Sequence, residues 1–307
     1  MSTPVRVGFV GFGEAASCFA TGLHEAGLSE LAVFCDGPRN RPPYSDAFRE
    51  RVAVAGARTV ESMIELIDLS DVIFSAVVAS AAEEVGLKVA ELLRPGQLLV
   101  DINASAPPAK LSVGDASQRA GALYVDASLM GAVSLYRHKV PLYVSGSGAE
   151  RFEELFTPVD LDITVVGERA GDAALLKMLR SVATKGMCMA LLEALIAAAR
   201  AGLGDQAFKA ICEPMDDTTF TEWAVMCILT DGIHAQRRAE EMEAASKVLQ
   251  DLGMEPVMTE AAVKRLHYSA ALRFRELYPV GNPTDYRETL ALYVTRARDL
   301  GLDPAQV

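Results

Sequence analysis

Val5-Arg6-Val7-Gly8-Phe9-Val10 is a short β-rich run, and the next six residues are Gly11-Phe12-Gly13-Glu14-Ala15-Ala16. A helical pattern through Phe19, Leu23 and Gly27 follows at once. Strand, glycine turn and helix in immediate succession leave few folds open. In this GxGxxA pattern Gly11 permits the tight turn, Gly13 lets backbone approach a pyrophosphate, and Ala16 is small enough for close helix–strand packing. The backbone from Gly11 through Phe12, Gly13, Glu14 and Ala15 then offers free N–H groups and a partial positive charge to phosphate. A second apolar run, Leu31-Ala32-Val33-Phe34-Cys35, ends in Asp36. That is about 20 residues on, where a carboxylate grips the ribose 2′-hydroxyl of NAD. Asp36 repels a 2′-phosphate and favours NAD. Arg39 and Arg41, in a loop full of turn formers, could fork around that phosphate in NADP instead.

The alternation continues. Apolar strand-like runs at Val72–Val77, Leu98–Ile102, Leu123–Asp126, Leu142–Gly146 and Ile163–Val166 are separated by helical patterns at Glu61–Ile67, Ala82–Leu93 and Lys110–Ala120. The expected fold class is α/β, a Rossmann-type doubly wound parallel sheet of roughly eight strands. Ligands in such sheets bind beyond the carboxyl ends of the strands. The segments 11–16, 76–80, 103–107 and 127–133 should therefore surround one cleft, with Ala76, Val77 and Asn103 as further cofactor contacts.

After Gly167 the pattern changes to helices only: 171–201, 205–213, 217–230, 232–252, 259–277 and 284–300. The expected division is a dinucleotide-binding domain, 1–167, and an all-α substrate and dimerisation domain, 168–307. The helix from Gly171 to Ala201 joins them. It is apolar nearly all round, which predicts a buried spine. Lys177, Ser181 and Lys185 line up along one of its faces at i, i+4 and i+8.

The net charge of −12 and pI near 4.9 argue against nucleic acid or an anionic membrane surface as partner. Five scattered cysteines without CxxC spacing read as reduced thiols of a cytoplasmic protein. The four histidines have no metal-ligand spacing. No basic leader followed by an apolar stretch opens the chain, so a soluble protein is expected.

These residues together resemble the β-hydroxyacid dehydrogenase family, which includes 3-hydroxyisobutyrate and 6-phosphogluconate dehydrogenases. Gly11-Phe12-Gly13 matches its dinucleotide turn. Asp126-Ala127-Ser128-Leu129-Met130-Gly131-Ala132 stands where the family carries a substrate segment of the type DAPVSGG. Gly171 and Lys177 match the GxxxxxK motif that starts the interdomain helix, and the Gly186/Glu193 spacing matches the phosphogluconate enzymes. The resemblance implies that Lys177 is the catalytic acid/base and that Ser128, Met130, Gly131 and Ser181 line the substrate site. Three positions depart from the pattern. Met130 replaces a serine, Ser181 an asparagine, and Thr184 the glutamate acid of the phosphogluconate enzymes.

The chemistry expected is hydride transfer between nicotinamide and the hydroxyl carbon of a small 3-hydroxy acid. Lys177 would exchange the hydroxyl proton, with its pKa lowered toward about 7–8 by apolar neighbours and Lys185. Arg180 or Lys185 is the candidate partner for a substrate carboxylate or phosphate. The rival readings are an imine reductase, against which Lys177 speaks, and a non-catalytic dinucleotide-binding protein. The Met- and Ala-rich stretch 186–201 suits a homodimer.

Overall fold

The computed structural model describes residues 5–302, as two compact units, Met1–Ser181 and Val182–Val307. The first is built on an eight-stranded sheet: β1 (Val7–Val10), β2 (Leu31–Phe34), β3 (Arg58–Thr59), β4 (Val72–Ser75), β5 (Leu98–Asp101), β6 (Leu123–Leu129), β7 (Leu142–Ser145) and β8 (Ile163–Gly167). Their order is β3-β2-β1-β4-β5-β6-β7-β8. All neighbours are parallel except β6 and β7, which pair antiparallel. The helices of this unit are α1 (Glu14–Glu25), α2 (Asp46–Val54), α3 (Met63–Asp68), α4 (Ala82–Leu92), α5 (Pro107–Arg119), α6 (Val133–Tyr136) and α7 (Ala149–Phe156).

The central strands read as unbroken apolar runs because both of their faces are covered. Every residue of β1, β2, β4 and β5 is buried. On one face Phe74 stacks on Phe9 with ring centroids 5.2 Å apart and meets Phe156 edge-on at 5.7 Å, within an aromatic cluster completed by Phe19 and Phe152. On the other, Ile73 and Leu99 pack with Leu66, Ile67, Val89 and Val113. β6 runs three residues beyond its expected end at Asp126, because Ala127, Ser128 and Leu129 pair with Val144, Tyr143 and Leu142. The first half of the expected 127–133 loop is therefore sheet.

The helix α8 (Asp172–Arg200) runs from the first unit into the second. The second unit continues with α9 (Gly204–Asp216), α10 (Phe220–Asp251), α11 (Val257–Ala271), α12 (Phe274–Leu277) and α13 (Tyr286–Asp299). The expected helices 217–230 and 232–252 are one. Gly232 does not break α10; it lets Phe274 approach, whose ring carbon lies 2.7 Å from where a Cβ would stand. Glu193 of α8 caps α11, its Oε1 accepting from the Thr259 N–H (2.8 Å) and hydroxyl (2.7 Å) and its Oε2 from the Met258 N–H (2.9 Å). Arg200 donates to the carbonyls of Leu252 (3.2 Å) and Gly253 (2.7 Å) behind α10. The charged face of α10 carries an Arg237–Glu241 ion pair.

One expectation is corrected here. α8 is not a buried spine of this chain: Leu175, Leu179, Val182, Leu192 and Ile196 are exposed, Val182 to 73%. An all-round apolar pattern says that a helix needs covering, and it does not say that its own chain supplies the cover.

Candidate functional site

The turn between β1 and α1 has the geometry its glycines require. Gly11 stands at φ +89°, and a Cβ there would lie 2.3 Å from the Ala76 carbonyl oxygen, so only glycine passes beside β4. Gly13 is the N-cap of α1, and among the described residues no side chain caps that helix. A Cβ on Gly13 would meet nothing within 4 Å, which leaves an open cradle before the uncapped N–H groups. Ala16 is fully buried under the helix. A pyrophosphate fits this arrangement, with N–H groups, helix dipole and room at one point. The Phe12 side chain is buried edge-on against Phe48, and Arg51 donates to its carbonyl at 3.3 Å. Only the Phe12 backbone is left to serve a cofactor. Glu14 is exposed and Ala15 half-buried.

Asp36 is exposed, two residues past β2. The chain just before it is locked: the Cys35 N–H donates to the Tyr44 hydroxyl (2.9 Å), which donates back to the Cys35 carbonyl (3.0 Å). Burial pushes the Cys35 thiol up to about 11 and the Tyr44 phenol up to about 12, so both are neutral near pH 7. The charges around this strand end include the exposed Asp36, Arg39 and Arg41, together with Arg51, which acts on Cys35. Arg39 lies in a turn closed by mutual Gly37–Asn40 backbone bonds of 3.1 and 3.2 Å.

Beyond β4 and β5, Asn103 ties the strand ends together. Its Oδ1 accepts from the Val77 N–H (2.6 Å), and its Nδ2 donates to Ser75 Oγ (2.9 Å) and Asp101 Oδ1 (2.6 Å). The Ala76 N–H donates to the Val10 carbonyl at 2.8 Å. The four segments that topology predicted around a cleft thus include three, at 11–16, 76–77 and 103, joined by direct contact or hydrogen bond.

In the substrate-type segment, Ser128 is buried inside β6, Met130 is half-buried and Gly131 is exposed. The Met130 carbonyl accepts from Arg180 Nη1 at 2.9 Å, which spends one arm of that guanidinium on holding the segment to α8. Lys177 and Ser181 are half-buried on α8. Lys185, two turns further on, is exposed and belongs to the second unit.

Sequence reasoning passed over a polar network beneath this site. Asp101, the last residue of β5, and Asp126, in the middle of β6, are register partners. Between them lies the ammonium of Lys110, a fully buried residue of α5. It donates to the Asp101 carbonyl (2.8 Å) and pairs with Asp101 Oδ1 (3.0 Å) and Asp126 Oδ1 (3.3 Å). The Tyr124 hydroxyl donates to Asp101 Oδ2 at 3.0 Å. Asp126 Oδ2 accepts from the Ala174 N–H (2.9 Å), and Ser145 Oγ accepts from the Ala173 N–H (3.0 Å). These two side chains cap α8 three and four residues before Lys177. Burial holds the Asp126 carboxyl above the usual carboxylate range, against the opposing pull of Lys110 and the Ala174 N–H. A signal was present in the sequence: two aspartates ending apolar strands one after the other need a buried cation.

Residues 6–167 match the NAD binding domain of 6-phosphogluconate dehydrogenase, and residues 198–268 match a domain of unknown function, DUF1932. A conserved hypothetical protein from Sinorhizobium meliloti is 29% identical with a TM-score of 0.63, the match covering 96% of this chain and 97% of that one. A second conserved protein of unknown function, described as structurally similar to 3-hydroxyacid dehydrogenases, is also 29% identical. Its TM-score is 0.59, over 88% of this chain and 99% of that one. An imine reductase variant from Myxococcus stipitatus in complex with NAD+ shares the fold at a TM-score of 0.72. It is 19% identical, over 86% of this chain and 93% of that one.

Proposed function

The chain belongs to the 6-phosphogluconate and 3-hydroxyisobutyrate dehydrogenase-like family, and on that premise we propose that it transfers hydride between a nicotinamide cofactor and the hydroxyl carbon of a small 3-hydroxy acid. The observation that carries the cofactor half is the open cradle at Gly13 before an uncapped α1. A bound nicotinamide dinucleotide supplies a two-electron hydride acceptor or donor. The pyrophosphate is held by the backbone of Gly11–Ala15, the ribose by Asp36, and the nicotinamide half by Ala76, Val77 and Asn103. Lys177 takes the hydroxyl proton as hydride leaves the same carbon, and returns it in the reverse direction. Ser128, Met130, Gly131 and Ser181 line the substrate space, and Arg180 or Lys185 meets the carboxylate. With Met130 in place of the family's serine, that carboxylate relies more on the two cations.

A racemic 3-hydroxyisobutyrate and 3-hydroxybutyrate panel with NAD+ tests this reading, and turnover of at least one is the expected result. The fold shared with imine reductases favours a second reading, C=N reduction. A cyclic imine with the reduced cofactor, turned over while every alcohol fails, would replace the first reading by the second.

NAD is the preferred form, because the exposed Asp36 carboxylate repels a 2′-phosphate. Asp36→Asn is expected to shift the ratio of the two dissociation constants toward NADP by roughly tenfold, or ~1.4 kcal/mol. Tighter binding of NADP than NAD by the unmodified protein, in a fluorescence titration, would reverse the assignment.

We also read the protein as a cytoplasmic homodimer that covers the apolar residues of α8. α8 is long and apolar enough to cross a membrane by composition, but it carries Lys185 and Glu193, and Glu193 is committed to capping α11. Covering such a helix in a stable pair requires an interface above about 1,000 Å². Light scattering should return twice the 32.8 kDa of the single chain. A monomeric mass, or partition into detergent, would refute the pairing.

A further inference from the structure

We propose that Lys110 is a positioning residue. From its buried place on α5, its ammonium fastens the strand ends assigned to the nicotinamide half of the cofactor to the first turn of the helix that carries Lys177. The proposal rests on the functional reading above and deepens it.

The argument is one of connectivity. From the Val77 N–H to Asn103, Asp101, Lys110, Asp126 and the Ala174 N–H, each link is 3.3 Å or shorter. Lys110 is the middle link: its ammonium donates to the Asp101 carbonyl and pairs in charge with Asp101 Oδ1 and Asp126 Oδ1. Both ends of the network finish on backbone of segments assigned to the reaction. A fully buried ammonium is costly, and an apolar side chain of the same length would fill the space at lower cost. What an apolar side chain cannot do is hold two carboxylates together. Without the ammonium, Asp101 and Asp126 are unbridged buried carboxylates on adjacent strands, and repulsion, or uptake of a proton by one of them, ends the bridge. Loss of the bridge loosens Asn103 on one side and the Asp126 cap of α8 on the other. Lys110 touches neither segment itself, so its effect there is exerted through Asp101 and Asp126.

The test compares the wild-type protein, Lys110→Met and Asp126→Asn. Dissociation constants for NADH and NADPH come from fluorescence titration well below each melting temperature, and amide hydrogen exchange is measured across the chain. In Lys110→Met the preferred dinucleotide should bind at least about tenfold more weakly. Exchange should quicken both at 76–77 and 103 and at 173–175, while α11 keeps its protection. Wild-type affinity and unchanged exchange at both segments in folded Lys110→Met would reduce Lys110 to core filling and overturn the proposal. If Lys110→Met does not fold, Asp126→Asn decides. It keeps an acceptor for the Ala174 N–H but turns an amide group toward the ammonium. Faster exchange at 173–175 that reaches 76–77 and 103 supports the coupling, and faster exchange confined to 173–175 overturns it. Failure of the wild-type protein to bind either dinucleotide fells the functional reading and the cofactor half of this proposal. The exchange pattern alone then decides whether Lys110 joins the two segments.

Discussion

Lys177→Met is expected to lower kcat by roughly 10³-fold while leaving the dissociation constant of the dinucleotide within about twofold. Proton transfer by a positioned side chain contributes on the order of 10²–10⁴ in rate, so removing the amine from a folded site should cost that much. Methionine keeps the length and the apolar stem, and the cap of α8 lies at Ala173 and Ala174, outside the change. Lys177→Arg should not restore the rate, because a guanidinium does not give up its proton near neutrality. On the reading proposed above, alcohol oxidation needs the free amine of Lys177 and carbonyl reduction needs its ammonium. The oxidation rate should therefore rise with pH through the same apparent pKa at which the reduction rate falls. Retention of most of kcat in Lys177→Met would remove the lysine from the chemistry.

The second large effect separates two neighbouring glycines. Gly11→Ala should lower stability by roughly 2–4 kcal/mol, since it combines a positive φ with a Cβ pressed on the Ala76 carbonyl. Gly13→Val should fold nearly as well as the wild type. Its φ of −86° suits any residue, and nothing lies within 4 Å of its Cβ position. Its cost falls on the cofactor, because the branched side chain occupies the space left for the pyrophosphate. A loss of affinity on the order of 10²-fold, ~2.7 kcal/mol, is expected. Melting curves with and without the dinucleotide distinguish the two variants. A cofactor-induced shift in Gly13→Val equal to that of the wild type would show that the phosphates bind elsewhere.

Much of this was legible because it is local. The strand–turn–helix at 5–25 follows from residue types within one short segment, and φ +89° at Gly11 is what its glycine announced. The central strands were found because burial on both faces leaves no polar alternation to confuse the pattern. Boundaries slipped where pairing decides them. β6 continues to Leu129 only because β7 returns antiparallel beside it, and the two-residue β3 was missed because its partner β2 defines it. The expected helices 217–230 and 232–252 are one helix, and Gly232 within it is the place where Phe274 packs. His138 is buried against Gly22 on α1, a packing that joins residues far apart in the chain.

By itself the sequence determined the class of fold, the dinucleotide turn and the helical character of the second half. Each follows from periodicity and from the stereochemistry of glycine, which act within a few residues. Only the tertiary structure decided which charges share a site. Asp101, Lys110 and Asp126 are ordinary members of a strand, a helix and a strand until the parallel register of β5 and β6 places the two aspartates side by side. The structure also decided the fate of α8. Hydrophobic patterning records that apolar surface must leave water, whereas the surface that covers it depends on what else folds nearby.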